Sequence, residues 1–282
     1  MKNIFYILIL IIVGSCTKQI PFDDPGTAQK LVMNALIEPN DSIAVAVSRS
    51  ASILNPSDVE VLDNAELSLF EDGQLVGDLE LDEFGIYRMD FAPEEGYVYE
   101  LVGNHADLGM VSSETTIPSA IGVSNITVEE TINFNDEQIF RVEFDLDDPS
   151  GDNFYVLRIV ENQDDVNQWN RAFISTEPFF LGGAQDNYFV DGAAFRDDAF
   201  DGQNQRIRID LDNHGLGSDF LDNLHILLIS ATEEHFLYHV SYKAHVDTDG
   251  DPFAQPVQIY SNVDNGLGIF AGHNKSLTEI PN

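Results

Sequence analysis

The stretch Ala65-Glu-Leu-Ser-Leu-Phe70, followed by Glu71-Asp72-Gly73 and then by Gln74 to Leu81, decides the fold class. Apolar and polar residues alternate from Ala65 to Phe70, which is the period of a strand with one buried face. Asp72-Gly73 suits a tight hairpin turn because glycine tolerates the positive φ that such turns require. The stretch therefore predicts a β-hairpin whose second strand is Gln74 to Leu81.

Similar short strands surround this hairpin, and almost no helical period appears among them. A series of short strands separated by turn residues is typical of a sandwich of immunoglobulin-like size. We therefore expect an immunoglobulin-like β-sandwich over residues 30–116, followed by a linker at residues 117–121. The further strands predicted for it are Leu31 to Ile37, Ile43 to Val47, Ile86 to Phe91 and Tyr97 to Val102.

The second part of the chain, residues 122–281, resumes the β pattern and adds one principal helix. Ser230 to Glu233 matches a capping box, and apolar residues then recur on one helical face, which predicts a helix near 231–245. Residues 162–205 lack a clear period, so we expect long loops with one short helix near Trp169. The fold class is therefore mainly β, with two β-sandwich-like domains. The strands predicted here are 126–132, 139–146, 154–160, 205–211, 225–229, 257–263 and 267–271.

The first fifteen residues have the pattern of a lipoprotein signal peptide. Lys2 is followed by a run of ten apolar residues, Ile4 to Val13, which is half the length that a membrane-spanning helix needs. Val13-Gly-Ser-Cys16 resembles the bacterial lipoprotein box, and Cys16 is the only cysteine in the chain. We expect cleavage before Cys16, lipidation of its thiol and a flexible stalk over residues 16–29. The alternative is an ordinary signal peptide with a cysteine there by chance.

The charge of the chain is strongly negative, with 49 Asp and Glu against 13 Lys and Arg. Loss of Lys2 with the signal peptide would take the net charge from −36 to −37. Nucleic-acid binding is therefore not expected, since phosphate backbones are held by Lys and Arg. The apolar fraction of 43% is sufficient for a packed core, so a disordered acidic tail is not expected either.

The tail Asp251 to Gly272 resembles the C-terminal signature of a Bacteroidota lipoprotein family catalogued as domain of unknown function 4249. Lys30 to Ile37, Phe195 to Gly202 and Ser230 to Tyr238 are similar to other parts of that family. The resemblance implies no reaction. It implies a lipoprotein anchored in the outer membrane, on either its periplasmic or its surface face, that works with a TonB-dependent receptor.

Three groups of residues are candidates for metal binding. Asp247, Asp249 and Asp251 alternate in a loop as calcium ligands do, although a plain acidic turn also explains them. No other cofactor is expected. Asp145, Asp147, Asp148 and Asp152 form a similar cluster. His235 and His239 share one face of the predicted helix, but Glu234 is misplaced for a metalloprotease, so exposed histidines are the alternative.

Aromatic residues between Gln163 and Gln203 are candidates for a binding surface, in particular Trp169, Phe179, Phe180 and Tyr188. Aromatic rings in loops serve as anchors at interfaces, although they also fold back as a satellite core. The sequence has no Gly-x-Ser-x-Gly, P-loop or Cys-x-x-Cys motif, and we assign no catalytic residue. We therefore expect a non-enzymatic accessory of a transporter. The alternatives are a carbohydrate- or peptide-binding adhesin and a hydrolase with an unrecognised carboxylate site.

Overall fold

The computed structural model describes residues 28–51, 60–133, 135–164, 167–181, 188–212, 221–248, 254–255 and 257–281. The predicted signal segment and Cys16 lie outside these ranges. The described chain is mainly β, as the sequence predicts, with sandwich-like packing of its sheets and one principal helix, α1 (Glu233–Thr248). That helix is too short and too polar to cross a membrane, and the described residues contain no longer one.

The N-terminal half forms two facing sheets with the strand order of an immunoglobulin-like sandwich. One sheet has the order β1-β2-β7-β6 and the other β5-β4-β8-β9, which correspond to the A-B-E-D and C′-C-F-G sheets of that fold. The predicted hairpin is present as β4 and β5, and Asp72 and Gly73 have φ of 47° and 74°. The strands are β1 (Leu31–Ile37), β2 (Ile43–Arg49), β3 (Glu60–Val61), β4 (Glu66–Glu71), β5 (Gln74–Asp78), β6 (Glu80–Leu81), β7 (Ile86–Met89), β8 (Val98–His105) and β9 (Gly109–Thr116).

Tyr99 fixes one corner of this sandwich. Its ring is fully buried near the start of β8, and its hydroxyl bonds back to the backbone of Glu94. The hydroxyl accepts from the Glu94 amide at 2.8 Å and lies 3.2 Å from the Glu94 carbonyl oxygen. This is the tyrosine corner that immunoglobulin-like sandwiches carry at the same place.

The C-terminal half is a second sandwich with α1 packed on its outside. A five-stranded sheet of order β10-β11-β17-β14-β15 faces the strands β13-β12-β18-β19, and β16 also pairs with β12. Twenty buried residues between these sheets form the core, and α1 covers the opposite face of β12 and β18. The strands are β10 (Val123–Ile132), β11 (Gln138–Asp147), β12 (Phe154–Asp164), β13 (Asn167–Arg171), β14 (Phe173–Ile174), β15 (Tyr188–Phe189), β16 (Ala193–Arg196), β17 (Asn204–Asp212), β18 (Leu224–Ala231) and β19 (Leu267–Glu279).

Strand β19 belongs to both halves of the molecule. Residues 267–272 pair with β1 in parallel, and residues 273–279 pair with β18 in antiparallel orientation, so one ten-stranded sheet extends through the whole fold. Val263 and Phe270 also pack in the N-terminal core. The division into two domains stays a prediction, but residues 263–272 contribute to the core of the first half.

Helix α1 begins at Glu233, two residues later than the predicted start at 231. The carbonyl oxygen of Thr232 accepts from Phe236 N at 3.0 Å and its hydroxyl accepts from His235 N at 3.4 Å, so Thr232 is the N-cap. Ser230 instead lies on β18, where its hydroxyl accepts from the amide of Ile121 at 3.2 Å. The assignment of Ser230 as the cap was therefore wrong, since this residue continues the sheet.

Candidate functional site

The segment predicted as long loops forms short strands along one edge of the C-terminal sandwich. β13 and β16 both pair with the free edge of β12, while β14 and β15 extend the opposite sheet. Trp169 lies on β13 opposite Glu161, so the prediction of a helix near Trp169 was wrong. Strands β13 and β16 provide partners for the backbone groups of β12, which would otherwise form an open edge of the sheet.

Two of the four predicted aromatic residues are exposed at this edge. Trp169 on β13 is 63% exposed, and Tyr188 on β15 is 43% exposed. Leu181, which is bridged to β16, and Val190, which follows β15, are exposed as well. We call Trp169, Leu181, Tyr188 and Val190 the aromatic edge.

The other two aromatic residues are half-buried and pack against the core. Phe180 lies 5.2 Å from Phe195 and 5.6 Å from Phe189, measured between ring centroids, and Phe179 lies 5.2 Å from Phe200. Both rings pack against the buried cluster of the C-terminal sandwich. Their rings are therefore largely engaged in contacts inside the fold, and their assignment to a binding surface stays a prediction.

Three carboxylates converge at the end of the C-terminal sandwich. Oxygen atoms of Asp148, Asp197 and Asp201 all lie within 4.8 Å of one another, and the first two side chains are buried. Asp148 accepts hydrogen bonds from Tyr155 Oη at 2.6 Å and from Gly202 N at 2.9 Å. We call these three residues the acidic trio. Among the described residues it is the one group with the ligand types and spacing of a metal site.

Electrostatics at the acidic trio act against full ionisation. Burial, followed by the charges of Asp197 and Asp201, raises the pKa of the Asp148 carboxyl above its ordinary value. Burial also raises the pKa of Tyr155, which stays a hydrogen-bond donor to Asp148. Carboxylate oxygens are what hard cations such as Ca²⁺ prefer, but both Asp148 oxygens already accept hydrogen bonds within the protein.

Sequence reasoning found one member of the trio and placed it with other neighbours. Asp145 instead pairs with Arg206 at 2.9 Å, and Asp147 accepts from Asn204. The fourth residue of that predicted cluster, Asp152, lines a separate polar pocket beside the start of α1. Asp197 and Asp201 belong to the stretch Phe195 to Gly202, which was quoted only for its family resemblance.

The predicted calcium loop at Asp247, Asp249 and Asp251 is described only at its first residue. Asp247 forms an ion pair with Lys243 at 2.5 Å, one helical turn away on α1. Asp249 and Asp251 lie outside the described residues, so the calcium hypothesis for this loop stays a prediction.

The two helical histidines are turned towards the sheet. His235 is 7% exposed, so the alternative of exposed histidines does not describe it. Its ring centroid lies 5.1 Å from that of His273 on β19, and His273 Nε2 lies 3.2 Å from a carboxylate oxygen of Glu38. His273 was not predicted as a site residue, because it lies 38 residues after His235 and the β18–β19 pairing brings the two together.

Comparisons with known proteins give one match. The family model described as Domain of unknown function (DUF4249) matches residues 17–279 of the chain. Neither the curated proteins nor the solved structures give a match.

Proposed function

Because the chain belongs to the family described as Domain of unknown function (DUF4249), we propose that it is a lipid-anchored binding protein of the outer membrane. In this proposal it is a non-enzymatic accessory of a TonB-dependent transporter, as the family resemblance implies. The acidic body would be repelled by anionic lipid, so a covalent anchor would be needed to keep it at the membrane.

The proposed anchor is supported by the order of features before the fold. Lys2, the apolar run Ile4 to Val13 and the small residues Gly14 and Ser15 precede the single cysteine. Strand β1 begins at Leu31, so a segment with two prolines and a glycine separates Cys16 from the first strand. Such a segment suits a stalk that holds the folded body away from the lipid surface.

The proposed partner surface is the aromatic edge, and the exposure of Trp169 on strand β13 carries this proposal. A large aromatic side chain exposed at the edge of a sheet leaves apolar surface in water, and partner proteins commonly cover such surface. Tyr188 supplies a second ring at the edge of the opposite sheet. Tryptophan and tyrosine are enriched among the residues that dominate binding energies at protein interfaces.

A carbohydrate-binding adhesin is the second candidate, and it is favoured by the same ring of Trp169. An exposed aromatic face can stack on a sugar ring as well as on a protein side chain. The hydrolase alternative has less support, because the hydrogen bonds from Tyr155 and Gly202 occupy both oxygens of Asp148. Asp148 thus has the surroundings of a structural acceptor.

Affinity capture from solubilised outer membrane tests this proposal. We expect the tagged lipoprotein to retain a TonB-dependent transporter, and the double variant Trp169→Ala, Tyr188→Ala to lose at least tenfold of it. Phe84→Ala is the matched control, because Phe84 is an aromatic residue 80% exposed on the N-terminal half. If the wild type captures no transporter but binds a glycan array through Trp169, the adhesin is correct. Unchanged capture by the double variant would move the partner surface elsewhere.

A further inference from the structure

Polar side chains interrupt the apolar face on which α1 packs. Residues directly opposite each other in an antiparallel pair share one face of the sheet. Ile229 faces the helix, and its register partner on β19 is Lys275. By the same alternation, Arg158 lies between Val156 and Val160 on β12, and His273 is two residues from Lys275. A line of basic and imidazole groups therefore lies beneath α1.

Two imidazoles in this line have nitrogen atoms without partners. His235 and His273 are each 7% exposed, and the Nδ1 atom of each is buried without a hydrogen bond among the described residues. Their rings meet edge to face, with an interplanar angle of 64°. Buried polar groups are nearly always hydrogen-bonded, so such a pair is an exception that calls for a physical account. A neutral imidazole tolerates this position far better than a charged one would.

The titratable and charged groups that face His235 oppose its protonation. Arg158 approaches from β12, Lys275 from β19 and His239 from α1 itself. The Glu38 carboxylate, which contacts His273, is shared between His273 at 3.2 Å and Lys275 at 2.6 Å. Burial, followed by the neighbouring His273, holds the pKa of His235 at about 3.

His239 lies one helical turn further along α1 and is half-buried. Burial, followed by the charge of Arg158, lowers the pKa of His239 to about 4. Asp191 acts in the opposite direction, and Lys243 lowers the pKa further. Arg158 itself has a buried Nε without a hydrogen bond among the described residues, and its positive charge disfavours protonation of the neighbouring histidines. Both helical histidines are therefore neutral while α1 is docked.

We propose that His235 and His239 make the docking of α1 sensitive to pH, so that acidification releases the helix from the sheet. The helix is the part that should respond, because its contacts form a small cluster around Phe236, Ile229 and Val156. The large core of the C-terminal sandwich lies on the other face of the same strands. Release would expose the apolar face of β12 and β18 without opening that core.

Acid favours the undocked helix, because the undocked state binds more protons than the docked state. An undocked histidine has an ordinary pKa near 6.5, so the undocked state binds more protons as the pH falls below 6.5. In the docked state the pKa is about 3 for His235 and about 4 for His239, so this state takes up protons only as the pH approaches those values. At pH 5, 1.5 units below 6.5, each histidine shifts the equilibrium towards undocking by about 30-fold.

Hydrogen exchange of the wild-type protein at pH 7 and pH 5 tests the proposal. After correction for intrinsic rates, we expect exchange of the α1 amides to increase at least 30-fold, while β11 and β17 stay protected. The variant His235→Leu, His239→Leu should remove most of this increase, because leucine fills a similar volume and has no titratable group. His225→Gln is the control, since the His225 ring bonds to the nearby Asn223 carbonyl.

A second measurement covers the case in which the double variant does not fold. The imidazole nitrogen resonances of wild-type His235 should stay those of a neutral ring at pH 5. A ring that titrates near pH 6.5 in the folded protein would overturn the proposal. Exchange that increases equally in α1 and in the core strands would overturn it as well, because acid would then act on the whole fold.

Discussion

Gly272 of β19 lies against the carbonyl oxygen of Thr116, so closely that a β-carbon on Gly272 would be 1.8 Å from that oxygen. The Gly272 amide also donates to the Thr115 hydroxyl at 3.0 Å. At this point β19 passes from its pairing with β1 to its pairing with β18. The close packing at the junction of the two halves therefore requires glycine at position 272.

We expect Gly272→Ala to destabilise the protein by about 3 kcal/mol or more, because the obstacle is backbone and cannot rotate away. Urea denaturation measures the effect. Gly122→Ala is the control, since a β-carbon there would meet only the Ser276 hydroxyl at 3.4 Å. Equal stability of the two variants would mean that the strands separate easily at this junction.

Alanine variants of Phe180 and Trp169 should differ in stability, because Phe180 packs against the core and Trp169 is exposed. Phe180→Ala should lower the free energy of unfolding by about 3 kcal/mol, because it removes contacts with four aromatic neighbours. Trp169→Ala should change it by about 0.5 kcal/mol or less, since the side chain is mostly in water. Thermal denaturation of both variants gives the comparison. A large loss of stability in Trp169→Ala would show that its exposed face is not available to a partner.

Glu38 should contribute stability that depends on pH. The hydrogen bond from His273, with Lys275, holds the pKa of this carboxyl at about 2, below the ordinary 4.5. Since the pKa is lowered on folding, the contribution is complete above pH 4.5 and is lost as the pH falls towards 2. We expect Glu38→Gln to cost about 2 kcal/mol at pH 7 and little at pH 2. Urea denaturation across this range, with the exposed Glu60→Gln as control, should show a difference that shrinks with acid.

Tyr99→Phe should weaken the N-terminal sandwich without unfolding it. The change keeps the buried ring but removes both hydrogen bonds to the Glu94 backbone. The loss should be about 1–2 kcal/mol, because the Glu94 amide is left without that acceptor. Chemical denaturation provides the value, and an unchanged midpoint would show that water replaces the hydroxyl without penalty.

Cys16→Ala should abolish acyl labelling of the protein in cells and move it from the membrane fraction to the soluble fraction. The reason is that the chain contains no second cysteine to carry the lipid. A variant that stays membrane-bound and labelled would contradict the lipoprotein assignment.

The sequence predicted those strands in which apolar and polar residues alternate and a turn motif follows directly. The hairpin of β4 and β5 is one example, because alternation and Asp72-Gly73 specify it without help from distant residues. The predicted strand at 257–263 shows the opposite case. Its apolar pattern resembles a strand, yet the side chain of Asn262 exchanges two hydrogen bonds with the Phe270 backbone, at 2.7 and 3.0 Å. A side chain thus takes the place of strand pairing.

The candidate site could be predicted only in part, because distant segments build it. Asp148 and Asp197 are 49 residues apart in the sequence. They meet because Asp148 precedes β12 and Asp197 directly follows β16, and the two strands pair at Phe154 and Arg196. β14 and β15 have two residues each, which is too short to show a period of two. Single-sequence reasoning located the aromatic segment but had no means of separating Phe180 from Trp169.

The parallel pairing of β1 with β19 also sets the order of folding. Val32 and Leu267 are register partners although 235 residues separate them in the chain. Contacts of such long sequence separation form slowly, because a large loop must close first. Until the last strand has been synthesised, β1 has β2 on one side and an open edge on the other. A nascent chain therefore presents a strand edge that invites pairing with other molecules, and a chaperone that shields β1 would protect the yield of folded protein.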